Sequence, residues 1–342
     1  IPYGMQNFED IIKMDCYYVD KTPFVEEIEA SNMYFFFIRP RRFGKSLTIS
    51  MLENYYDINK KDRFESIFGS LYIGKNPTPE RNSYLIIHLN FSEVVGSLDD
   101  YKEGLDTHCR IVFDSFCDRY ARLLPPGIKE EMKKEPDAVS QLKYLCQKCT
   151  DAGQRIYLFI DEYDNFTNMI LANKNNETRY REQTHGEGYL RRFFNAIKSA
   201  SGSSLGRVFV TGVSPVTMDD LTSGFNIGTN YTLAPEFNEM TGFSEEEVRD
   251  MLSYYAGVLP FNHTVDELIE VIKPWYDNYC FAEEEYGNTS MYNSVMVLNF
   301  IDNYIRSGYN IPKKWWRLMF VLTTTKFVCS YAMTKSSQMM PA

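Results

Sequence analysis

The first unbroken apolar run in the chain is Y-F-F-F-I at 34–38. It shows no polar alternation and is bounded by turn residues, which predicts a strand buried on both faces of a parallel sheet. Similar runs stand at 83–91, 154–160 and 207–210, with a shorter one at 230–233. Between them, apolar residues spaced by three and four predict helices over 21–30, 46–56, about 99–122 and 137–150. Another helix carries Leu190, Phe193, Phe194 and Ile197 on one face. Asp20 is placed to cap the helix at 21–30, with Pro23 in its first turn. Segment 57–79 reads as loop-rich, and 172–188 as a polar, charge-mixed loop. After 241 the pattern becomes helical: Ser244 to Glu247 forms a capping box, and helical spacing recurs at 264–273 and 292–305.

Strands alternating with helices imply an α/β fold. The expected architecture is a three-layer α/β/α sandwich with a mostly parallel sheet over 1–242. A small, mainly helical appendage follows over 243–310, and then an atypical tail over 311–342. Ligands bind such sheets outside the carboxyl ends of the strands. Three polar motifs stand at those ends, at 39–46, 161–162 and 211–214.

The first is Arg39-Pro40-Arg41-Arg42-Phe43-Gly44-Lys45-Ser46-Leu47, between a strand and a helix. This is the context of a Walker A phosphate loop. Gly44 lets the backbone approach a phosphate, Lys45 would reach the β- and γ-phosphates, and the Ser46 hydroxyl would ligate Mg²⁺. The pattern G-x-x-x-x-G-K-S/T has its first glycine where this chain has Arg39. Arg39, Arg41 and Arg42 either neutralise phosphate charge or pair with acids, and a structural or mixed role fits Arg39 better.

Asp161-Glu162 follows the apolar Y-L-F-I, as in a Walker B strand. Asp161 would hold Mg²⁺ and Glu162 would orient the attacking water. Two acids ending a strand at the surface are the plainer alternative, but the Gly-Lys-Ser upstream favours the chemical reading. Thr211 or Ser214 could be a polar sensor for the γ-phosphate, or could belong to an ordinary turn closed by Gly212 and Pro215. Arg191 or Arg192 could serve as an arginine finger, with a solvated helix face as the alternative. Asp164 could support the site, though capping the next helix is the simpler role. His88 reads as a strand residue with an ordinary partner.

Composition narrows the class. The 342 residues are 44% hydrophobic and 15% aromatic, which excludes a disordered chain. A net charge of −10 argues against general nucleic-acid binding, although a local basic cleft stays open. Seven scattered cysteines form no disulfide framework and suggest a reducing, cytoplasmic setting. Cys146-Gln-Lys-Cys149 lacks a second pair of ligands at zinc spacing. No signal peptide and no apolar run of membrane-spanning length stands out. The start at Ile1 suggests a fragment.

These motifs carry a resemblance. I-P-Y-G-M at 1–5, Y-Y-V-D-K-T at 17–22, F-F-I-R-P-R-R-F-G-K-S-L at 36–47, L-F-I-D-E-Y-D-N-F at 158–166 and the stretch 208–227 resemble the AAA-ATPase-like family of bacterial proteins. So do 68–77, 186–194, 236–248 and W-Y-D-N-Y-C-F at 275–281. The resemblance spans about residues 1–310, with Asn278 standing where the family tends to have Gly and Ser294 where it tends to have Pro. It implies a P-loop ATPase of the additional-strand-glutamate class, with ATP and Mg²⁺ as cofactors, and makes Arg39 the family's own variant of the loop. It carries roles onto Lys45, Ser46, Asp161 and Glu162. Full-length members usually continue into a PD-D/E-x-K nuclease-like domain, which this chain does not reach. From Trp315 the chain departs from the family, and a back-translation shifted by one base resembles the missing continuation, so the tail reads as a frameshift product.

The expectation is therefore an ATP-binding, ATP-hydrolysing domain that acts as a switch or motor for a C-terminal effector. The alternatives are a non-hydrolysing regulatory module, or the ATPase part of a DNA-processing or defence nuclease system. Assembly into a homo-oligomer stays open.

Overall fold

A computed structural model of the chain describes residues 1–95, 100–165, 188–200, 204–214, 228–276 and 279–312. The loop expected at 172–188 except for Gly188, the turn residue Pro215, Asn278 and the tail beyond 312 lie outside the described residues. Five strands form one sheet: β1 (Tyr34–Ile38), β2 (Leu85–Asn90), β3 (Ile156–Asp161), β4 (Leu205–Gly212) and β5 (Thr229–Asn230). Their order is β2-β3-β4-β1-β5, and every pair is parallel. Strand β4 thus lies between β1 and β3, as the sensor reading requires.

Period-2 alternation divides the strand side chains between two cores. Phe35, Phe37, Ile86, Tyr157, Phe159 and Phe209 face α1 (Phe8–Lys13), α2 (Phe24–Ala30) and α3 (Lys45–Tyr56). Phe36, Ile87, Leu158, Ile160 and Val210 face α4 (Tyr101–Arg119), α5 (Ala138–Asp151) and α6 (Tyr189–Ala200). Apolar residues are needed on both sides because helices cover both faces, giving the expected three layers.

Three local expectations shift. Helix α2 begins at Phe24 rather than residue 21, because the Asp20 carboxylate accepts from Thr22 N and Oγ1 and from Tyr72 N instead of capping a helix. The loop-rich stretch holds a 3-10 helix, Ile58–Arg63, and two helical turns, Phe64–Phe68 and Tyr72–Lys75, too short for periodicity to reveal. Strand β5 has two residues, since Thr232 turns its hydroxyl back to accept from Ile38 N.

The C-terminal helices α7 (Glu245–Val258), α8 (Val265–Tyr276) and α9 (Ser294–Arg306) enclose a separate core around Leu252, Leu268, Ile269, Phe300 and Tyr304. The capping box forms as expected, with Ser244 and Glu247 bonded reciprocally. Ile1, Tyr17 and Val19 pack against this core. Lys21 Nζ reaches both Glu239 O at 2.9 Å and Glu247 Oε1 at 2.5 Å, tying the N-terminal segment to the start of α7.

His88 on β2 has its ordinary partner: Nδ1 lies 3.0 Å from Glu53 Oε1 on α3. Burial opposes its protonation, but the bond and charge of Glu53 outweigh it and raise the pKa. A raised folded pKa stabilises fully below the unfolded value near 6.5, and that contribution is lost as pH rises through the folded value. His88→Gln should therefore lower the urea midpoint clearly at pH 6 and much less at pH 9. An equal loss at both would remove the ionic contribution.

Six described cysteines are unpaired. Burial pushes the Cys146 thiol up to about 12, so it packs α5 as a neutral side chain. Among the described residues no helix is long and apolar enough to cross a membrane.

Candidate functional site

All three sequence motifs meet at the carboxyl ends of β1, β3 and β4. Ser46 Oγ, in the first turn of α3, donates to Asp161 Oδ2 at the end of β3 over 2.7 Å. Asp161 is 1% exposed, a burial that an unpartnered carboxylate would resist. Lys45 is likewise buried, and its Nζ donates to the carbonyls of Arg39 at 3.0 Å and Pro40 at 3.1 Å. Burial lowers the Lys45 pKa, against the pull of Glu162, Asp161 and Asp164. Burial raises the Glu162 pKa, with Lys45 opposing and Asp161 and Asp164 reinforcing. A carboxylate shifted toward neutrality is suited to exchanging a proton with water.

The loop before α3 has a shape that few residues adopt. Arg42 and Gly44 are left-handed, at φ 69° and 94°, on either side of Phe43. Such alternation turns successive amides toward one side, and by helix geometry the first amides of α3 have no intrahelical acceptor. The result is a concave, donor-rich backbone. Its outer side is fastened to the appendage. Asn293 Nδ2 donates to Arg41 O, Ser294 Oγ and Val295 N to Arg42 O, and Gly242 N to Phe43 O. The Phe43 ring is buried against Tyr279, Phe281 and Met291, so Phe43 belongs to the loop by its backbone only.

Arg39 takes the structural alternative. Its guanidinium is 1% exposed and lies 4.0 Å from the ring centres of both Phe37 and Phe281. It donates to the carbonyls of Ile38, Thr232 and Phe237 at 3.0, 2.6 and 2.8 Å. As a side chain that binds phosphate, Arg39 is corrected: it stitches β1 to the 232–237 segment and the appendage, and only its carbonyl meets the site. Restoring the consensus with Arg39→Gly should therefore cost on the order of 3 kcal/mol in urea unfolding, because buried carbonyls lose a charged donor and two stacking faces. Tighter nucleotide binding with undiminished stability would overturn this assignment. Arg41 and Arg42 stay exposed, and Arg41 is close enough to Lys45 and Glu162 to influence both.

The end of β4 corrects another expectation. Thr211 Oγ1 is buried and donates to Phe37 O at 2.6 Å, so its one proton serves the sheet and not a phosphate. Ser214, the other residue of that expectation, is half-buried at the end of the strand. Asp164 stands just before the helical residue Asn165 and accepts from the amides of Val213 and Ser214, while the amides that it would cap lie outside the described residues. Arg192 lies 3.7 Å from Asp137 across the α5 and α6 packing, which is the solvated-face alternative. The residues that sequence reasoning missed are Gly242, Asn293 and Val295, which hold the loop through its carbonyls. Only the N-cap residue type of Asn293 hinted at any of them.

A cavity of about 340 Å³ opens between this loop, the N-terminal segment and the appendage. Lys45, Ser46 and Glu162 are among its polar lining residues, and Met5, Tyr18 and Leu298 among its apolar ones. A lining that mixes polar donors with apolar side chains suits a nucleotide more than a free anion.

A protein from Azotobacter chroococcum mcd 1, named "Uncharacterized protein in vnfD 5'region", is 25% identical over 289 residues. The aligned part is 84% of this chain and 50% of that protein, so the chain spans about half the length of the relative it matches. No solved structure matches the chain at significant similarity. A family model described as "Predicted AAA-ATPase" matches residues 2–222, and its span contains all three motifs. The chain belongs to the AAA-ATPase-like family, whose name implies nucleotide binding.

Proposed function

We propose that the chain binds Mg-ATP in the cavity beside the 39–46 loop and hydrolyses it to ADP and phosphate. The observation that carries this reading is the Ser46–Asp161 hydrogen bond with Lys45 and Glu162 beside it. It brings together two motifs 115 residues apart. A hydroxyl and a carboxylate oxygen are hard donors that fit Mg²⁺, which takes few protein ligands and completes its shell with water and phosphate. Mg²⁺ held by Ser46 and Asp161 would neutralise charge on the β- and γ-phosphates.

The chain's own groups divide the remaining work. Lys45 exchanges its two loop carbonyls for phosphate oxygens, a move that returns a buried cation to an anionic partner. The loop amides and the start of α3 add uncharged donors. Glu162 orients a water for attack and takes up its proton, consistent with its raised pKa. The apolar residues Met5, Tyr18 and Leu298 hold the base. They come from the N-terminal segment and the appendage, so occupancy bears on the packing of both, which favours a switch acting on an effector. Unpaired cysteines accord with a reducing cytoplasm.

The test is phosphate release by the purified chain with ATP, with and without Mg²⁺. Mg²⁺-dependent release supports the proposal. Binding without release, even in a single turnover, would leave a nucleotide-gated module with no catalysis.

A further inference from the structure

The segment after Asp161 is bonded to the end of β4 more densely than chain connection requires. Tyr163 N donates to Thr211 O at 3.2 Å, and Tyr163 Oη donates to Ser214 O at 2.6 Å. The Asp164 carboxylate is 0% exposed. Both its oxygens accept from Val213 N at 3.1 Å, and Oδ2 also accepts from Ser214 N at 2.6 Å. Gly212 is what allows this approach. A Cβ there would stand 2.4 Å from Asp164 Oδ1 and 2.6 Å from the Tyr163 ring.

Between Asp161 and this set of bonds lies Glu162, left-handed at φ 52°. A branched carbon at that φ costs roughly 1 kcal/mol and persists only where the surroundings dictate it. Here the next two residues are fixed to another strand, so Glu162 must turn sharply to join them. On its other side, β4 bonds to the strand that leads into the 39–46 loop: Arg39 N donates to Gly212 O at 3.2 Å. The end of β4 is therefore the strip that spaces Glu162 from the loop carrying Lys45.

We propose that Tyr163 and Asp164 are positioning residues for hydrolysis. By clamping Thr211 to Ser214 they hold Glu162 in its left-handed turn, with its carboxylate at the cavity wall beside Lys45. This rests on the reading of Glu162 as the group that orients water. A purely structural brace would lower stability, nucleotide binding and turnover together. A positioning clamp acts on turnover with binding preserved.

Asp164→Asn keeps the side chain's shape, and its one oxygen in the Oδ2 place can still accept from both amides, but the negative charge is lost and an N–H donor now faces Val213 N in place of Oδ1. In the full chain it should leave the Kd for a non-hydrolysable Mg-ATP analogue within about threefold and lower kcat by at least about tenfold. The amides of Val213 and Ser214 should exchange hydrogen at least about tenfold faster. Tyr163→Phe, which keeps the ring against Gly212 and removes the bond to Ser214 O, should show the same pattern to a smaller degree. It serves as the reading if Asp164→Asn fails to fold. Wild-type kcat in both variants, or Kd and kcat worsening in step with thermal stability, overturns the proposal. A wild-type chain with no turnover defeats the hydrolytic reading by itself. The clamp is then judged on exchange alone, and amides that stay protected in Asp164→Asn overturn it.

Discussion

Lys45→Ala is expected to weaken Mg-ATP binding by roughly 100-fold, since hydrogen bonds to charged groups are worth about 1.5–3 kcal/mol and Lys45 would make more than one. The same substitution should leave the fold intact. Among the described residues the buried ammonium donates to two carbonyls, and burial already pulls its pKa down. Removing it relieves a desolvated cation instead of breaking a strong pair. Titration with a fluorescent ATP analogue, run beside urea unfolding, separates the two effects. Unchanged affinity would sink the nucleotide reading of the loop. Lost affinity with a collapsed unfolding midpoint would point to a structural lysine.

Glu162→Gln should do the opposite, keeping affinity within a few-fold and lowering hydrolysis by about 10²–10⁴-fold, the range expected when a positioned acid–base group is removed. Glutamine has the same shape and bears the same left-handed backbone, so the site stays assembled. It cannot accept the proton from water. Single-turnover measurement with saturating enzyme isolates this step from nucleotide exchange. A near-normal single-turnover rate would move the water-orienting role away from Glu162.

The fold was largely legible in the sequence, because helices on both faces of the sheet leave the strands apolar throughout. The four longer runs all became strands, and Asp161, Ser46 and Lys45 fell at one edge as their positions after strands implied. What the residue string could not convey was the use of individual donors. Arg39 stands in a phosphate loop, and nothing local says that Phe281, far along the chain, will stack on it. Thr211 has the same hydroxyl whether it faces a ligand or Phe37 O, and only the β1–β4 register decides. Asp164 has the sequence signature of a cap, and nothing local says that among the described residues its partners are amides 49 and 50 residues later. Local pattern specifies elements, while pairings at long separation specify which polar atom is left for chemistry.

The bonds from Gly242, Asn293, Ser294 and Val295 to the loop carbonyls bear on how this protein can be divided. The family match ends at residue 222, and the alternation of strands and helices ends soon after. A fragment cut at 242 would follow both boundaries and look like a tidy unit. It would also strip the carbonyls of Arg41 and Arg42 of the donors that hold the loop in its left-handed turns, and would uncover the Phe43 ring. Such a fragment should keep its sheet, measured by circular dichroism, while its affinity for nucleotide falls with the loop's loss of shape. The smallest piece expected to bind nucleotide is thus longer than the smallest piece expected to fold.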